Sequence, residues 1–509
     1  MVTSRACLPC RTAKTKCDLK RPTCSFCSRR KIACGGYASD ADYMSRNQNV
    51  TAKVNSERAR RRSKHATNGL LLYGTDTHHD LRVLSIDARQ GCEPRPSLAK
   101  PWNLADQKAW LSIPSPVLYR LEDRILDVFY AEWVSRPSTD FKHPGYLDLL
   151  PEMKVKAAPA SALNLAVEAF ALANGGNLMS CDGNLKQMAF SRYGAALESV
   201  RKAMVHHSIF ADDATLMGIM AIDMFEVVFM VREEPLRLRN DAIEYLLAVR
   251  GVEQIQSDVG LALYRMANHR LQVRQLGFGL EPLPVQLACI DMLDLSVPRY
   301  SLCKMQLEAQ QTLAMTRDLS FFHWEDLSLL IIRIQVQLEE YEQWKACLPE
   351  SWVPKRIQIA EHRDVLQALI ARSIPLTDHV CVYKESFIAH QMSFFYHGEL
   401  ALRSALIDAL FAMKNMFLRQ PDFEHEIETQ QTAISRISDI LVESINPLLA
   451  SIHFDDCGSL CLAQERITVC YTRGICWALQ QEKRVAAEHK SFTYRIENWI
   501  RQQIGLACQ

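Results

Sequence analysis

The sequence lacks an excess of charge of either sign and lacks a long uninterrupted hydrophobic run. Its 509 residues contain 59 Lys and Arg against 58 Asp and Glu, so the formal net charge at pH 7 is +1. The apolar segment 216–231 contains Asp223 and Glu226 and is shorter than the roughly 20 apolar residues that cross a bilayer. We therefore expect a protein that does not contact a membrane, with a buried helix at this segment.

Motifs of several enzyme classes are also missing. Gly277-Phe278-Gly279 lacks the third glycine and the preceding strand of a dinucleotide site, and no Walker-type loop is present. His425-Glu426 is followed by Ile427-Glu428, so it is not a metalloprotease motif. The pairs Asp212-Asp213 and Asp455-Asp456 lack the third acidic residue of helical terpene enzymes and are predicted to be helix caps or solvated turns. We expect the protein not to be an enzyme.

The near-neutral total conceals an uneven distribution of charge along the chain. Residues 1–64 contain 16 Lys and Arg against 4 Asp and Glu, whereas the remaining 445 residues contain 43 against 54. Such asymmetry favours a nucleic-acid-binding end attached to a different module.

The cysteines of the basic end are spaced in a repeat. Two successive C-x2-C-x6-C patterns fall within the first 34 residues, formed by Cys7, Cys10 and Cys17 and then by Cys24, Cys27 and Cys34. One tetrahedral zinc takes four ligands, so six thiolates are too many for one ion and too few for two independent ions. Six suffice for two ions if two of them bridge, and the repeat makes Cys7 and Cys24 the expected bridges. The spacing predicts a binuclear zinc–thiolate cluster with two Zn²⁺ ions per chain.

Other cysteine frameworks fit this pattern less well. A disulfide framework is typical of small secreted domains, whereas no signal peptide precedes Cys7 and so long a chain needs no such cross-links. RING and LIM domains need more ligands, usually including histidine, and the cysteine that follows Cys34 is Cys92. The eleven cysteines outside the cluster have no regular spacing and are expected to be reduced thiols.

The residues between the cysteines are basic. The two six-residue intervals hold three basic side chains each, Arg11, Lys14 and Lys16 in the first and Arg29, Arg30 and Lys31 in the second. Six residues can form a helix of about 1.5 turns. Two such helices held by one metal core would form a compact basic surface, which suits the neutralisation of nucleic-acid phosphates.

With these features the N-terminal 64 residues resemble the fungal zinc binuclear cluster (Zn₂Cys₆) family of transcription factors. The matching segments are Cys10-Arg11, Lys14-Thr15-Lys16-Cys17-Asp18 and Lys20-Arg21-Pro22-Thr23-Cys24. The resemblance implies a helix placed in the DNA major groove, where the family typically reads CGG-like triplets.

The resemblance also implies a role for individual basic residues. The lysine three residues before the third cysteine reaches the base edges, and here it is Lys14. Arg11 and Lys16 are expected on phosphates, as are Arg29 and Arg30 of the second half.

The chain departs from the family pattern at two positions. Ala13 stands where a basic residue is usual, so we expect fewer backbone contacts there. Lys31 stands where glycine is common, and a non-glycine residue in a left-handed conformation there costs about 1 kcal/mol. Neither departure affects a zinc ligand.

The chain is predicted to be mainly α-helical and to divide into three parts. Residues 1–40 form the zinc-cluster domain, 41–115 a flexible basic linker and connector, and 116–509 a large all-helical regulatory domain. The linker contains a basic run that is interpreted as a nuclear localisation signal, a phosphate-contacting arm or a solvated helix face: Arg58, Arg60, Arg61, Arg62 and Lys64.

The helical prediction for 116–509 rests on apolar residues that recur every three or four positions. Such stripes occur at 118–133, 185–204 and 434–448, and alternating strand patterns are nearly absent. Part of this region resembles the helical regulatory domain of the same family. That second resemblance rests on Tyr193 with Ala196-Leu197 and Arg201, on the apolar helix 216–226, and on Tyr245-Leu246-Leu247 with Arg250-Gly251.

Together these observations predict a nuclear, sequence-specific regulator of RNA polymerase II transcription in which zinc is structural. The expected partners are double-stranded DNA and the transcription machinery or co-regulators, and a homodimer on DNA remains open. The alternative is a helical metabolite-sensing or enzymatic domain that the zinc module tethers to DNA.

Overall fold

A computed structural model describes the part of the chain considered below. The described residues are 9–10, 15, 17–18, 23–32, 34, 121–134, 147–178, 183–204, 212–230, 240–319, 322–416, 422–454, 458–462 and 465–503. The chain divides into two units, Met1–Arg95 and Pro96–Gln509, which are described separately.

Helices account for nearly all regular structure in the described residues. The first unit contributes α1 (Ser25–Arg30). The second contributes α2 (Leu121–Trp133), α3 (Leu150–Lys156), α4 (Ala162–Leu178), α5 (Gly183–Ala203), α6 (Asp213–Phe229), α7 (Asn240–Arg250), α8 (Asp258–Phe278), α9 (Pro284–Ile290), α10 (Pro298–Met315), α11 (Trp324–Ala346), α12 (Arg363–Ala371), α13 (Ser386–Met416), α14 (Asp422–Ala450), α15 (Thr468–Gln481) and α16 (Ala487–Gln503). The prediction of a mainly α-helical protein is confirmed.

The described parts of the three apolar stripes lie on α2, α5 and α14 or at the end of one of them. Most of their residues are buried or half-buried, whereas Leu121 and Met204, at the ends of two stripes, are exposed. Phe129 and Trp133 of α2 both pack on Phe170 of α4, with ring centroids 5.0 and 4.7 Å apart. Burying rings of this size contributes much of the stability of a helical core, because the free energy gained scales with the apolar area removed from water.

The residues on which the resemblance to a helical regulatory domain rests make contacts between neighbouring helices. The Tyr193 hydroxyl on α5 donates to Glu226 Oε1 on α6 at 2.5 Å, and the Tyr193 ring stacks on Phe225 at 5.0 Å. Arg250, at the end of α7, pairs with Asp213 in the first turn of α6 at 2.5 Å. In this unit the motif residues therefore join α5, α6 and α7.

Among the described residues, four short strands add to the predicted helices. β1 (Lys355–Gln358) pairs antiparallel with β2 (His379–Val382), and β3 (Ile452–Phe454) pairs antiparallel with β4 (Leu460–Leu462). Short 3₁₀ turns occur at Val252–Ile255, Glu350–Trp352 and Ile359–Glu361. Each strand is too short for an alternating pattern to stand out in the sequence.

The glycines at the end of α8 have a structural role. A Cβ atom on Gly277 would lie 1.9 Å from the Trp477 ring of α15, so only glycine permits this close approach. Gly279 has φ 57° and ends α8 in the left-handed conformation, donating its N–H to the carbonyls of Gln275 and Leu276. These glycines terminate a helix and do not follow a strand, as a dinucleotide-binding loop would.

Within the described residues, the helices are all too short or too polar to cross a membrane.

Candidate zinc cluster and DNA interface

Five of the six N-terminal cysteines lie in the described part of the first unit, and they come together in two groups. The Sγ atoms of Cys10, Cys17 and Cys24 all lie within 4.8 Å of one another, and so do those of Cys24, Cys27 and Cys34. Cys24 belongs to both groups, which is the position expected of a ligand that bridges two ions. Cys7, the other predicted bridge, lies outside the described residues.

The sulfur geometry fits zinc better than a disulfide. The Sγ atoms of Cys10 and Cys24 lie 3.6 Å apart. Two thiolates bound at about 2.3 Å to one tetrahedral zinc lie roughly 3.8 Å apart, whereas disulfide sulfurs lie about 2.05 Å apart. Cys10, Cys24 and Cys27 are fully buried, so water does not reach the inner sulfurs from outside. The described donors therefore fit two zinc ions that share a thiolate.

Helix α1 begins directly at the shared ligand. Cys24 is its N-cap residue, and its Sγ accepts a hydrogen bond from the Cys27 N–H at 3.4 Å. This hydrogen bond fixes the direction of the Cys24 side chain at the start of the helix.

Asp18 fixes the start of α1 from the preceding half of the repeat. Its carboxylate accepts from the Ser25 N–H at 3.1 Å and from the Ser25 hydroxyl at 2.5 Å. In the sequence, Asp18 stands out only as part of the segment Lys14–Asp18 that matches the family, with no role of its own. Capping motifs that can be recognised in a sequence join residues about three positions apart, whereas Asp18 lies seven positions before Ser25. The position of Asp18 directly after Cys17 was therefore the sequence feature that could have pointed to a role for it.

Helix α1 ends at Lys31, which has the left-handed conformation with φ 52° and ψ 35°. Its N–H is directed at the carbonyls of Cys27 and Ser28. Glycine is common at this position in the family that the N-terminal segment resembles. The observed conformation is the one that favours glycine, so Lys31 is a strained residue between Cys27 and Cys34 in the sequence.

Arg29 and Arg30 occupy the last turn of α1, and both are exposed. Arg29 Nε donates to the Ser25 carbonyl at 3.3 Å, and the Arg30 guanidinium lies 5.6 Å from the centre of the Phe26 ring. These contacts orient the two side chains while leaving them open to solvent, as suits residues that bind an anionic backbone. The first-half candidates Arg11, Lys14 and Lys16 lie outside the described residues, and so does the basic run at 58–64.

The aspartates and cysteines of the helical unit form no second metal site among the described residues. Asp212 is the N-cap residue of α6 and Asp213 pairs with Arg250, in keeping with a structural role. On α15, Cys476 is buried and Cys470 is half-buried against the core, and desolvation raises the pKa of both thiols, that of Cys470 to about 12. Among the described residues, the groups of three or more possible metal ligands that lie close together are these two cysteine triads.

A known protein family matches the same segment of the chain. Residues 5–42 match the family model of the fungal Zn(2)-Cys(6) binuclear cluster domain. This confirms the resemblance seen in the cysteine spacing, and with it a cofactor of two zinc ions per chain and a zinc-cluster DNA-binding transcription factor. The match does not extend to the helical unit, whose resemblance to a regulatory domain stays a prediction. No curated protein and no solved structure gives a match.

Proposed function

We propose that this chain regulates RNA polymerase II transcription by binding CGG-like DNA triplets through its zinc cluster. The observation that supports the proposal most strongly is the pair of cysteine triads that share Cys24, within the residues that match the family. In the second half, α1 carries the basic residues Arg29 and Arg30 directly after the ligand pair Cys24 and Cys27.

The proposal divides the basic residues into one base reader and several phosphate contacts. Lys14 lies between two proposed zinc ligands in the sequence, Cys10 and Cys17, and its amine is assigned to guanine acceptors in the major groove. Arg29 and Arg30 extend from α1 into solvent and would bind phosphates that fix the register on the duplex. Arg11 and Lys16 are assigned to phosphates in the first half.

The proposed setting is the nucleus, with the basic run at 58–64 as an import signal or a further phosphate contact. The proposed partners are double-stranded DNA and co-regulators of transcription, with a homodimer on DNA. The metabolite-sensing alternative is retained because the helical unit contains an apolar cavity. The described residues offer no comparable support for the enzymatic alternative.

Two substitutions in the full chain separate base reading from phosphate binding. Lys14→Ala should weaken binding to a CGG-containing duplex by about 1–3 kcal/mol while changing binding to scrambled DNA much less. Arg30→Ala should weaken both about equally and reduce the salt slope of log K by about one unit. Each variant is titrated against both duplexes at two salt concentrations, and its zinc content is measured.

The zinc content is the control, because both variants keep all six cysteines and should bind as much zinc as the wild type. Equal losses of specific and non-specific affinity in Lys14→Ala would remove Lys14 as the base reader. Mapping of genomic binding sites together with transcript levels, with and without the protein, tests the assignment to RNA polymerase II. Bound promoters whose transcripts do not change would contradict that assignment.

A further inference from the structure

The helical unit contains an apolar cavity. Its volume is about 130 Å³, and it lies among α6, α8, α13 and α15. Three methionines and four rings form nearly half of its wall: Met220, Met224, Met266, His269, His390, Tyr471 and Trp477.

The rings of this wall contact one another, one pair face to face and others edge-on. His390 stacks on Tyr471 with ring centroids 4.0 Å apart and an interplanar angle of 14°. His269 meets His390 edge-on at 4.6 Å and Phe394 at 4.5 Å. Burial, helped by the nearby Arg270, lowers the pKa of His269 to about 3, and burial lowers that of His390 well below its usual range. At neutral pH both imidazoles are therefore uncharged aromatic rings that can also donate and accept hydrogen bonds.

The charges beside the cavity neutralise each other. Arg270 of α8 donates to both carboxylate oxygens of Asp223 on α6, at 2.7 and 2.9 Å. The second arginine of the wall, Arg473, pairs with Glu497 at 3.2 Å and donates to the Val227 carbonyl. A bound molecule would thus face compensated ion pairs, which favours a neutral ligand over an ion.

A glycine in the cavity wall is not explained by packing. Gly474 lies inside α15, and a Cβ atom there would meet no described atom within 4 Å. By contrast, Cβ atoms on Gly277 and Gly398 would approach Trp477 and Gln306 to 1.9 and 2.1 Å, so those helix glycines allow close contacts. A glycine inside a helix costs about 1 kcal/mol relative to alanine. At Gly474 the space that it leaves belongs to the cavity.

We propose that this cavity binds a small, neutral, planar aromatic molecule about the size of phenol. A dry apolar cavity of about 150 Å³ accommodates benzene, and the volume here is about 130 Å³. Methionine sulfurs make favourable contacts with aromatic rings, and the uncharged imidazole rings offer further aromatic surface. Glycine at 474 leaves the space beside this part of α15 open to the ring.

The test is a ¹⁹F NMR titration of the full chain with 4-fluorophenol. The wild type should broaden and shift the ligand resonance saturably. Gly474→Leu places a side chain in the cavity and should weaken binding at least tenfold. The matched control is Gly194→Leu on α5, because Gly194 is exposed and a Cβ there also meets no described atom within 4 Å. This control should bind 4-fluorophenol as the wild type does.

Circular dichroism and the melting temperature (Tm) verify that each variant is folded. If Gly474→Leu does not fold, Gly474→Ala replaces it, since a single methyl group in open space should preserve the fold and weaken binding several-fold. The charged 4-fluorobenzoate should bind at least tenfold more weakly than 4-fluorophenol. Absence of saturable binding to the wild type, equal binding to the folded Gly474 variant, or an equal affinity for 4-fluorobenzoate would overturn the proposal. The titration does not measure DNA affinity, so a negative result with 4-fluorophenol would not bear on the proposed DNA-binding function.

Discussion

Among the described residues of the zinc unit, Lys31 carries backbone strain. It ends α1 with φ 52° in a conformation that glycine adopts without steric cost. Replacing Lys31 by glycine should therefore stabilise the zinc-bound unit by about 1 kcal/mol relative to alanine, which keeps the Cβ atom. The comparison of Lys31→Gly with Lys31→Ala removes the same charge in both variants, so it isolates the backbone effect.

The measurement for Lys31 is competition for zinc between the full chain and a chelator. Lys31→Gly should require about fivefold more chelator for half-release than Lys31→Ala, because about 1 kcal/mol corresponds to roughly that factor. Equal midpoints for the two variants would show that the left-handed conformation adds no strain.

Individual residues also show which features of the zinc cluster and of the cavity could be predicted from the sequence. The cysteine repeat predicted two joined zinc positions, because ligand number and spacing are local properties of the chain. The pairing of Asp18 with Ser25 could not be predicted, since it depends on how the two halves of the repeat fold against each other. The cavity at Gly474 has no sequence signal, because its wall residues come from four helices far apart in the chain.

At the scale of elements, α8 and α13 carry three histidines whose pKa values are lowered, of which His397 is buried and the other two are half-buried. Burial lowers the pKa of His269 on α8 to about 3 and that of His397 on α13 to about 4, and it lowers that of His390 as well. Each folded-state pKa lies below the unfolded value of about 6.5, so the unfolded chain holds more protons in between. Stability is therefore retained above pH 6.5 and falls as the pH is lowered through this window.

The expected slope is at most about 1.4 kcal/mol per pH unit for each histidine. Thermal unfolding of the full chain between pH 7.5 and 5 should show a falling Tm. His397→Phe keeps a ring beside Trp477, which His397 meets edge-on at 5.9 Å, but removes the titrating group. This variant should lose about one third of the slope. A slope identical to that of the wild type would exclude His397 as a contributor.

The helices themselves were predictable where their apolar stripes were long. α2, α5 and α14 each bury several residues of a period near 3.6, and the sequence indicated all three. The four strands were not predictable, because β1–β4 are short and pair with partners up to 27 positions away, as Lys355 does with Val382. Their pairing is decided by the helices that surround them and not by local alternation.

At the scale of the whole molecule, the chain joins a small basic zinc unit to a large helical unit. The zinc unit matches a DNA-binding family, whereas the helical unit has its own core and its own cavity. A unit as small as the first buries little apolar surface, so metal binding supplies most of its folding free energy. The second unit is large enough to fold around apolar side chains alone, so zinc removal should act on the first unit.

The binuclear cluster therefore stands or falls with the number of zinc ions that the six cysteines bind. Native mass spectrometry of the full chain, with Cys24→Ser and Cys34→Ser as variants, measures this number directly. We expect two zinc ions per wild-type chain, disturbance of both ions in Cys24→Ser, since Cys24 lies in both triads, and loss of mainly one ion in Cys34→Ser. One zinc ion per wild-type chain, or the same zinc content in the two variants, would contradict the binuclear cluster.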